Sequence, residues 1–442
     1  MEVSGGGSGR VVPALAALVV ALAVTPAGAG AANTDWTKLR TLNIAHQGGE
    51  DEAPSNTMYA YERSLRLGAD MLEVDVHTTS DGELVALHDA TVDRTTNGTG
   101  RIYDKTLAEV RELDAAHNLV PGEGTERGLG ADNYPYRGVR LGEREPPRGF
   151  GPEDFRIPAL AETIAAYPDV PINIEIKGAA DTDAASFQRN AQALAAYLNE
   201  LGRTEGIMVA SFNDAALDTF HDLAPQIDLA PAIAAVAAYK LSGAKPPEGT
   251  AAFQVPIEFN GVSVTDQSFV DRVHADGYGI HLWTINDPAE MNMLLDWGVD
   301  GIMTAEPIRL EQVLCERGVA RPPRPPSAPG EHCSKRSSIA CDVEPVQARR
   351  TGRSLRITLR RQDDFAGRCA GRLTASAPDD RALSATKFAL GELPPAEGGK
   401  AKVLAEIELS RKLRRLLEPG EMAKLKARPY LAFAERAELT VR

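Results

Sequence analysis

Strand-like and helix-like patterns alternate along this chain from residue 41 to residue 304, and this alternation constrains the fold more than any other feature. Short apolar or β-branched runs are separated by longer amphipathic runs. Parallel strands joined by helices produce such a pattern, because two parallel neighbours need a long crossover connection. The number of repeats predicts an α/β fold of the (β/α)8 TIM barrel type.

Nine runs are candidate strands, one more than the barrel needs: 41–46, 71–77, 84–89, 171–177, 206–212, 227–233, 261–264, 279–285 and 298–304. The second and third are joined by TTSDGE with no helix between them, so we expect one of this pair to depart from the simple alternation. Helices are predicted at 57–67, 106–113, 159–166, 184–200, 213–222 and 287–296. The first should start at an Asn or Ser cap and end at Gly68.

The sequence outside the alternating region predicts an export signal. Residues 1–32 contain an arginine, the apolar run VVPALAALVVALAV and the small residues TPAGAGAA. This order is typical of a cleaved secretory signal peptide, with an uncleaved anchor as the alternative. It predicts a secreted or cell-envelope protein.

Three further segments follow from composition. The barrel is predicted at 38–318, with a Gly- and Pro-rich inserted segment at 118–157, after the third candidate strand, that is too long for an ordinary connection. A Pro-rich linker at 319–332 precedes a small β-rich domain at 333–442, whose period-2 runs suggest a β-sandwich. The chain has four cysteines, Cys315, Cys333, Cys341 and Cys369, which could form disulfides in an oxidising compartment.

Charge is distributed unevenly between these segments. Residues 331–442 carry 23 Lys and Arg against 15 Asp and Glu, a net +8, whereas the whole chain has a net charge of −14. The rest of the chain therefore carries −22, which disfavours nucleic acid as a partner for the barrel. The basic C-terminal segment could contact an anionic cell envelope.

Polar side chains gather where the candidate strands end. The chemistry of a parallel barrel lies at the carboxyl ends of its strands, so the fold should bring these groups together. They are His46, Glu73, Asp75, His77, His88, Glu175, Lys177, His281 and Trp283.

Three carboxylates on neighbouring strands would repel each other unless a positive group lay among them. An all-oxygen set suits one hard divalent cation, Mg2+ or Ca2+. The alternative is that Glu73 and Asp75 form buried ion pairs with lysine or arginine. Two histidines beside such a site could divide proton transfer, although a single histidine is more often a core residue. Trp283 could pack in the core or hold an apolar part of a substrate.

Several segments carry a more specific signal. IAHQGG, PSNTMYAY, GADMLEVDVHTTSDGELVALHDATVDRTTNGTG, FRIPALAETI, INIEIKG, ASF, LWTIN and GVDGIMT follow one another in the chain. Their order resembles the glycerophosphodiester phosphodiesterase family. The resemblance covers about residues 41–315 and implies a TIM barrel with an insertion after the third strand. It also implies hydrolysis of small-molecule glycerophosphodiesters to glycerol 3-phosphate and an alcohol, with a divalent cation.

The resemblance also implies roles for individual residues. His46 and His88 resemble the acid–base pair, and Glu73, Asp75 and Glu175 resemble the metal ligands. Lys177 is similar to the lysine that contacts the phosphate. Gln47, Phe212 in ASF and Trp283 in LWTIN are the other expected substrate contacts.

The chain departs from the family pattern at two positions. Gln47 stands where the family usually has Arg, and Ser55 stands where it usually has Glu. A bidentate phosphate contact is therefore replaced by a neutral donor. Two alternative functions remain open. A lysophospholipase D would use the same centre on lipid-bearing phosphodiesters, with an apolar channel that the insert could supply, and a non-catalytic envelope-binding barrel would follow from the altered phosphate contact.

Overall fold

The computed structural model describes residues 34–37, 40–180 and 182–319, together with seven strands between residues 343 and 440. The predicted signal peptide, the linker from residue 320 onward, Cys333 and Cys341 lie outside the described residues. None of the described helices is long and apolar enough to cross a membrane.

Thirteen strands lie between residues 42 and 304. They are β1 Leu42–Ala45, β2 Met71–Thr78, β3 Leu84–Ala86, β4 Leu119–Val120, β5 Gly124–Thr125, β6 Ile172–Ile176, β7 Ile207–Ala210, β8 Asp228–Leu229, β9 Ala252–Val255, β10 Glu258–Phe259, β11 Val262–Ser263, β12 Gly279–Leu282 and β13 Gly301–Thr304. The helices are α1 Met58–Leu67, α2 Leu107–Arg111, α3 Leu160–Ala166, α4 Ala184–Leu201, α5 Asp214–Leu223, α6 Ile233–Ser242, α7 Gln267–Ala275, α8 Pro288–Trp297 and α9 Pro307–Glu316.

Eight parallel strands form the barrel. They neighbour one another in the order β8, β7, β6, β2, β1, β13, β12, β9. The ring closes between β8 and β9 through Leu229, whose N–H donates to Gly249 O and whose carbonyl accepts from Ala251 N, both at 2.9 Å. The predicted TIM barrel is thus confirmed.

Two of the nine candidate strands do not belong to the barrel. β3 pairs antiparallel with β2, so the expectation that one of this close pair departs from the alternation is confirmed. The prediction of a barrel strand at 261–264 is wrong, because β11 forms an exposed hairpin with β10. The sixth barrel strand is instead β9, a buried run of four residues that the sequence patterns missed.

Six helices lie where they were predicted, and the N-cap of the first differs from the prediction. Thr57, rather than Asn or Ser, caps α1, since its hydroxyl accepts from Ala60 N at 3.2 Å. Gly68 ends the helix as expected. The helices α6, α7 and α9 were missed by the sequence patterns.

The alternation of side chains along the barrel strands decides which groups face the interior. In β2, Leu72, Val74 and Val76 belong to the cluster packed under the helices, so Met71, Glu73 and Asp75 point into the barrel. The same alternation in β6 turns Ile172, Ile174 and Ile176 outward. Asn173, Glu175 and Lys177 therefore point inward. The register of the two strands places Asp75 beside Glu175.

The inserted segment at 118–157 packs on the barrel. It contains β4, β5 and short 3-10 turns at Ala131–Asn133 and Pro152–Phe155. Tyr136 and Phe155 pack on Tyr59 of α1, with the rings of Tyr59 and Phe155 stacked at 4.6 Å. A buried aromatic cluster thus joins the insert to the first helix.

The C-terminal strands form two antiparallel sheets. They are β14 Val343–Thr351, β15 Ser354–Arg361, β16 Cys369–Ser376, β17 Leu383–Leu390, β18 Lys402–Glu408, β19 Met422–Pro429 and β20 Glu435–Thr440. One sheet has the order β14, β15, β18 and the other β17, β16, β19, β20. Cys315, in the last barrel helix, is disulfide-bonded.

Candidate active site

Three carboxylates converge at the carboxyl ends of β2 and β6. One oxygen from each of Glu73, Asp75 and Glu175 lies within 4.8 Å of the other two. Glu73 and Asp75 are fully buried. The structure therefore brings together the three side chains predicted as metal ligands.

The charges of these carboxylates are only partly balanced. Lys177 Nζ lies 3.1 Å from Asp75 Oδ1 and 2.7 Å from Glu175 Oε1. Burial lowers the pKa of Lys177, but Asp75 and Glu175 raise it further, to above its usual value. Glu73 Oε1 is buried and has no hydrogen-bond partner among the described residues.

Glu73 and Asp75, the two buried carboxyl groups of β2, have pKa values that are shifted in opposite directions. Burial, and then the charge of Asp75, raise the pKa of Glu73 well above its usual value. Burial acts in the same direction on Asp75, but Lys177 and the site histidines lower the pKa of that group to about 2. The charges of His46 and Lys177 lower the pKa of Glu73, but they do not offset burial and the neighbouring carboxylates.

His46 lies at the end of β1, in a 3-10 turn formed by His46–Gly48. Its Nδ1 atom makes a short hydrogen bond with Glu50, four residues along the chain. Burial lowers the pKa of His46, but Glu50, followed by Glu73 and Asp75, raises it to about 10. The contact leaves Nε2 of His46 available for a substrate.

His88 follows β3 and is paired in the same way. Its Nδ1 lies 2.8 Å from Asp89 Oδ1, and Arg94 Nε donates to Asp89 Oδ2 at 2.7 Å. Burial raises the pKa of Asp89, but the hydrogen bonds from His88 and Arg94 lower it further, below its usual range. His77 lies between the carboxylates and this pair, with Nε2 3.2 Å from His88 O, and burial lowers its pKa to about 4.

Gln47 and Asn56 hold two of the carboxylates. The Gln47 N–H donates to Glu73 Oε2 at 2.6 Å, and Asn56 Nδ2 donates to Asp75 Oδ2 at 2.8 Å. Both residues have left-handed backbones, with φ of 48° and 54°, which are uncommon outside glycine. This conformation turns their donors toward the carboxylates.

Phe212 and Trp283 form an aromatic pair beside Lys177. Their ring centroids are 5.3 Å apart, and Lys177 Nζ lies 5.8 Å from the Phe212 centroid. Phe212 is 42% exposed. By contrast, His281 is fully buried, with its ring 6.0 Å from that of Trp36, so it belongs to the barrel interior rather than to the mouth.

Sequence reasoning missed the partners of the site residues. Glu50, Asp89 and Asn56 each contact a predicted site residue but were not singled out. Glu50 and Asp89 follow their histidines by four residues and by one, so proximity in the chain was the signal available. The contact of Asn56 depends on its backbone conformation.

A parallel barrel with carboxylates, histidines and a lysine gathered at its carboxyl end defines a barrel enzyme. The sequence matches the model of the Glycerophosphoryl diester phosphodiesterase family over residues 46–309, and the chain belongs to this family. It is a glycerophosphodiester phosphodiesterase whose substrates are small-molecule glycerophosphodiesters. The sequence resemblance is thus confirmed.

The chain is similar to named members of the family. It is 30% identical over 286 residues to the glycerophosphodiester phosphodiesterase of Caldanaerobacter subterraneus, covering 63% of this chain and 100% of the relative. It is 28% identical to the glycerophosphodiester phosphodiesterase of Bacillus subtilis, covering 64% of this chain and 90% of the relative. A solved structure of a protein from Silicibacter pomeroyi shares the fold, with a TM-score of 0.50 and 21% identity over 64% of this chain and 95% of that one.

Proposed function

We propose that the chain hydrolyses glycerophosphodiesters to glycerol 3-phosphate and an alcohol, and that the reaction depends on one divalent cation, Mg2+ or Ca2+. Glu73, Asp75 and Glu175 would hold the cation. The observation that carries this proposal is the convergence of three carboxylate oxygens within 4.8 Å in a largely buried place. Oxygen ligands of this kind are those that hard divalent cations prefer.

The alternative, a set of buried ion pairs, accounts for only part of the site. Lys177 does pair with Asp75 and Glu175, as that alternative requires. Glu73 Oε1, however, has no hydrogen-bond partner among the described residues. A buried carboxylate oxygen without a partner is costly, and a bound cation would remove that cost. The residues present therefore fit a cation.

The bound cation would neutralise negative charge that develops on the phosphoryl oxygens. The ammonium group of Lys177 would add positive charge beside the same phosphoryl oxygens. It lies 5.8 Å from the Phe212 ring centroid. The aromatic pair of Phe212 and Trp283 would contact a less polar part of the substrate.

The two histidines would move the protons. Glu50 favours the protonated form of His46, because the pKa of His46 is raised to about 10. His46 is therefore suited to donate a proton from Nε2 to the departing alcohol oxygen. His88, oriented by Asp89 at Nδ1, would accept a proton from the attacking oxygen at Nε2.

An assay with glycerophosphocholine and glycerophosphoethanolamine tests the proposal. The protein is first treated with chelator, and Mg2+ or Ca2+ is then returned separately. We expect chelator to abolish release of glycerol 3-phosphate and one of the cations to restore it. Full turnover in chelator, with no cation bound by calorimetry, would refute the assignment of Glu73, Asp75 and Glu175.

One observation supports a second candidate substrate class, lipid-bearing phosphodiesters. The loops after β7, β8 and β9 lie at the carboxyl end of the barrel and expose Phe212, Ile233, Phe259 and Val262. The β10–β11 hairpin contributes two of these four side chains, Phe259 and Val262. An acyl chain could pack there.

Lysophosphatidylcholine distinguishes the two substrate classes. If the acyl chain uses the hairpin, Phe259→Ser should slow turnover of lysophosphatidylcholine and leave that of glycerophosphocholine unchanged. Leu201→Ser is the matched control, because Leu201 is also exposed but ends α4 at the opposite end of the barrel. Equal effects of the two substitutions would argue against the lipid substrate.

A further inference from the structure

The two positions at which the chain departs from the family pattern contact each other. Ser55 Oγ donates to Gln47 Oε1 at 2.6 Å. Both residues are buried, with 4% and 6% of Gln47 and Ser55 exposed. The two departures therefore form one buried, uncharged pair, and we call it the neutral pair.

The neutral pair lies directly beside the carboxylates. The Gln47 N–H bonds to Glu73, and the Gln47 carbonyl accepts from Asn56 N at 2.8 Å. Asn56 in turn bonds to Asp75 and accepts from Tyr61 Oη at 2.8 Å. All the groups that hold Glu73 and Asp75 on this side are uncharged, so they add no positive charge to the site.

The charges of the proposed site balance without any excess. With a divalent cation bound, the three carboxylates would carry three negative charges, and the cation with Lys177 would supply three positive charges. The remaining charged groups are already engaged locally: His46 with Glu50, and His88 and Arg94 with Asp89. Any negative charge on a bound phosphate would therefore exceed the positive charge of the site, and a second negative charge would double that excess.

We propose that the neutral pair makes the site discriminate between the substrate and its product by charge. This inference rests on the proposed function. A phosphodiester carries one negative charge, whereas a phosphate monoester carries about 1.5 to 2 at pH 7. At low local dielectric the extra charge is costly without a positive neighbour. Glycerol 3-phosphate is thus bound weakly and released readily.

Ser55 is a positioning residue in this arrangement. Its hydroxyl fixes the side-chain carbonyl of Gln47, so the amide cannot turn freely next to Glu73. In Ser55→Ala the buried Gln47 oxygen loses its donor. Because the charge of the site stays the same, selectivity between diester and monoester should be kept in Ser55→Ala.

The test compares binding of glycerol 3-phosphate with binding of glycerophosphocholine in the full chain with Mg2+. Calorimetry on the slow variant His88→Ala, in which Gln47 and Ser55 are unchanged, gives the Kd of both the product and the diester. In this variant we expect the product to bind no more tightly than the diester. Product bound more than about 10-fold tighter would overturn the inference without touching the proposed function.

Adding charge at the neutral pair should reverse the preference. In Gln47→Arg, we expect glycerol 3-phosphate to bind at least about 10-fold more tightly, with the KM for glycerophosphocholine changed much less. Adding Ser55→Glu supplies a carboxylate partner for the new arginine and should cancel most of that gain. Gln312→Arg, the same substitution on the exposed face of α9, should change neither value.

Two outcomes separate the inference from the function on which it rests. Equal tightening of product and diester in Gln47→Arg, or no tightening of either, would overturn the inference. A wild-type protein that binds Mg2+ but never cleaves a glycerophosphodiester would instead overturn the proposed function.

Discussion

The two ends of the barrel bury charge in different ways. At the amino end, Arg40 lies between Asp70 and Glu311, at 2.7 Å and 2.9 Å. Asp300, also at that end, accepts from His274 Nε2 at 2.7 Å and from the backbone N–H of residue 280 at 2.9 Å. These carboxylates thus have donors that belong to the chain itself.

At the carboxyl end the chain leaves its carboxylates incompletely matched. Two of them, Asp75 and Glu175, share Lys177, and Glu73 Oε1 has no hydrogen-bond partner among the described residues. The site residues Gln47 and Asn56 also have left-handed backbones, which are unfavourable for side chains larger than glycine. One end of the barrel is therefore built for stability, and the other gives up stability for a binding site.

Glu73→Gln should have the largest effect and should separate function from stability. We expect the affinity for Mg2+ to fall by more than about 100-fold, since loss of a group that only hydrogen-bonds to a metal ligand already costs about 10- to 100-fold. Turnover of glycerophosphocholine should fall with it. The cation-free variant should be as stable as the wild type or more stable, because a buried carboxyl group whose ionisation is disfavoured has been replaced by a neutral amide. Urea unfolding in chelator measures this, and a clear loss of stability would contradict the comparison.

Arg40→Met should lower the stability of the protein without lowering its turnover. Removing the Arg40 guanidinium leaves Asp70 and Glu311 without their shared partner. Breaking such a buried pair costs about 3 kcal/mol. The free energy of unfolding should fall by that amount, while kcat per folded molecule stays close to the wild-type value. If turnover fell in proportion to stability, the two ends of the barrel would not be separable.

The histidines of the two ends offer a matched set. His46→Ala and His88→Ala should each lose about 100-fold or more in kcat, the scale of one acid–base group, and should still bind Mg2+. His274→Ala removes a histidine that also pairs with a carboxylate, but at the amino end. It should lower stability and leave kcat unchanged. Near-normal turnover in both site variants would exclude the proposed proton transfer.

Much of the site was predictable because strand alternation is a local property. The spacing of Glu73 and Asp75 on one strand, and of Glu175 and Lys177 on another, places all four on the inner face of a parallel barrel. The departure of β3 from the alternation could be predicted from the short connection before it. The prediction needed no knowledge of distant contacts.

The remaining features depend on contacts that the pattern does not record. β9 is a run of four residues, and it was passed over in favour of 261–264, whose β-branched residues are exposed in a hairpin. The contact between Ser55 and Gln47 requires left-handed backbones at Gln47 and Asn56, which non-glycine residues rarely adopt. Such contacts follow from the path of the loops rather than from periodicity.

His281 lies inside the barrel between the two ends and gives the smallest expected effect, a dependence of stability on pH. Burial lowers its pKa to about 4. In the unfolded chain the pKa of this histidine is near 6.5. Between pH 4 and pH 6.5 the imidazole is therefore mostly protonated in the unfolded state and mostly neutral in the native state. Stability should therefore be complete above pH 6.5 and fall as the pH drops toward 4, by about 2 kcal/mol between pH 7 and pH 5 for this group. His77, whose pKa is lowered in the same direction, should add to the loss of stability.

Urea unfolding of the wild type and His281→Gln at pH 7 and pH 5, in chelator, measures the contribution of His281. The variant should lose about 2 kcal/mol less than the wild type on acidification, and an identical loss in both proteins would show that His281 does not stay neutral inside the barrel.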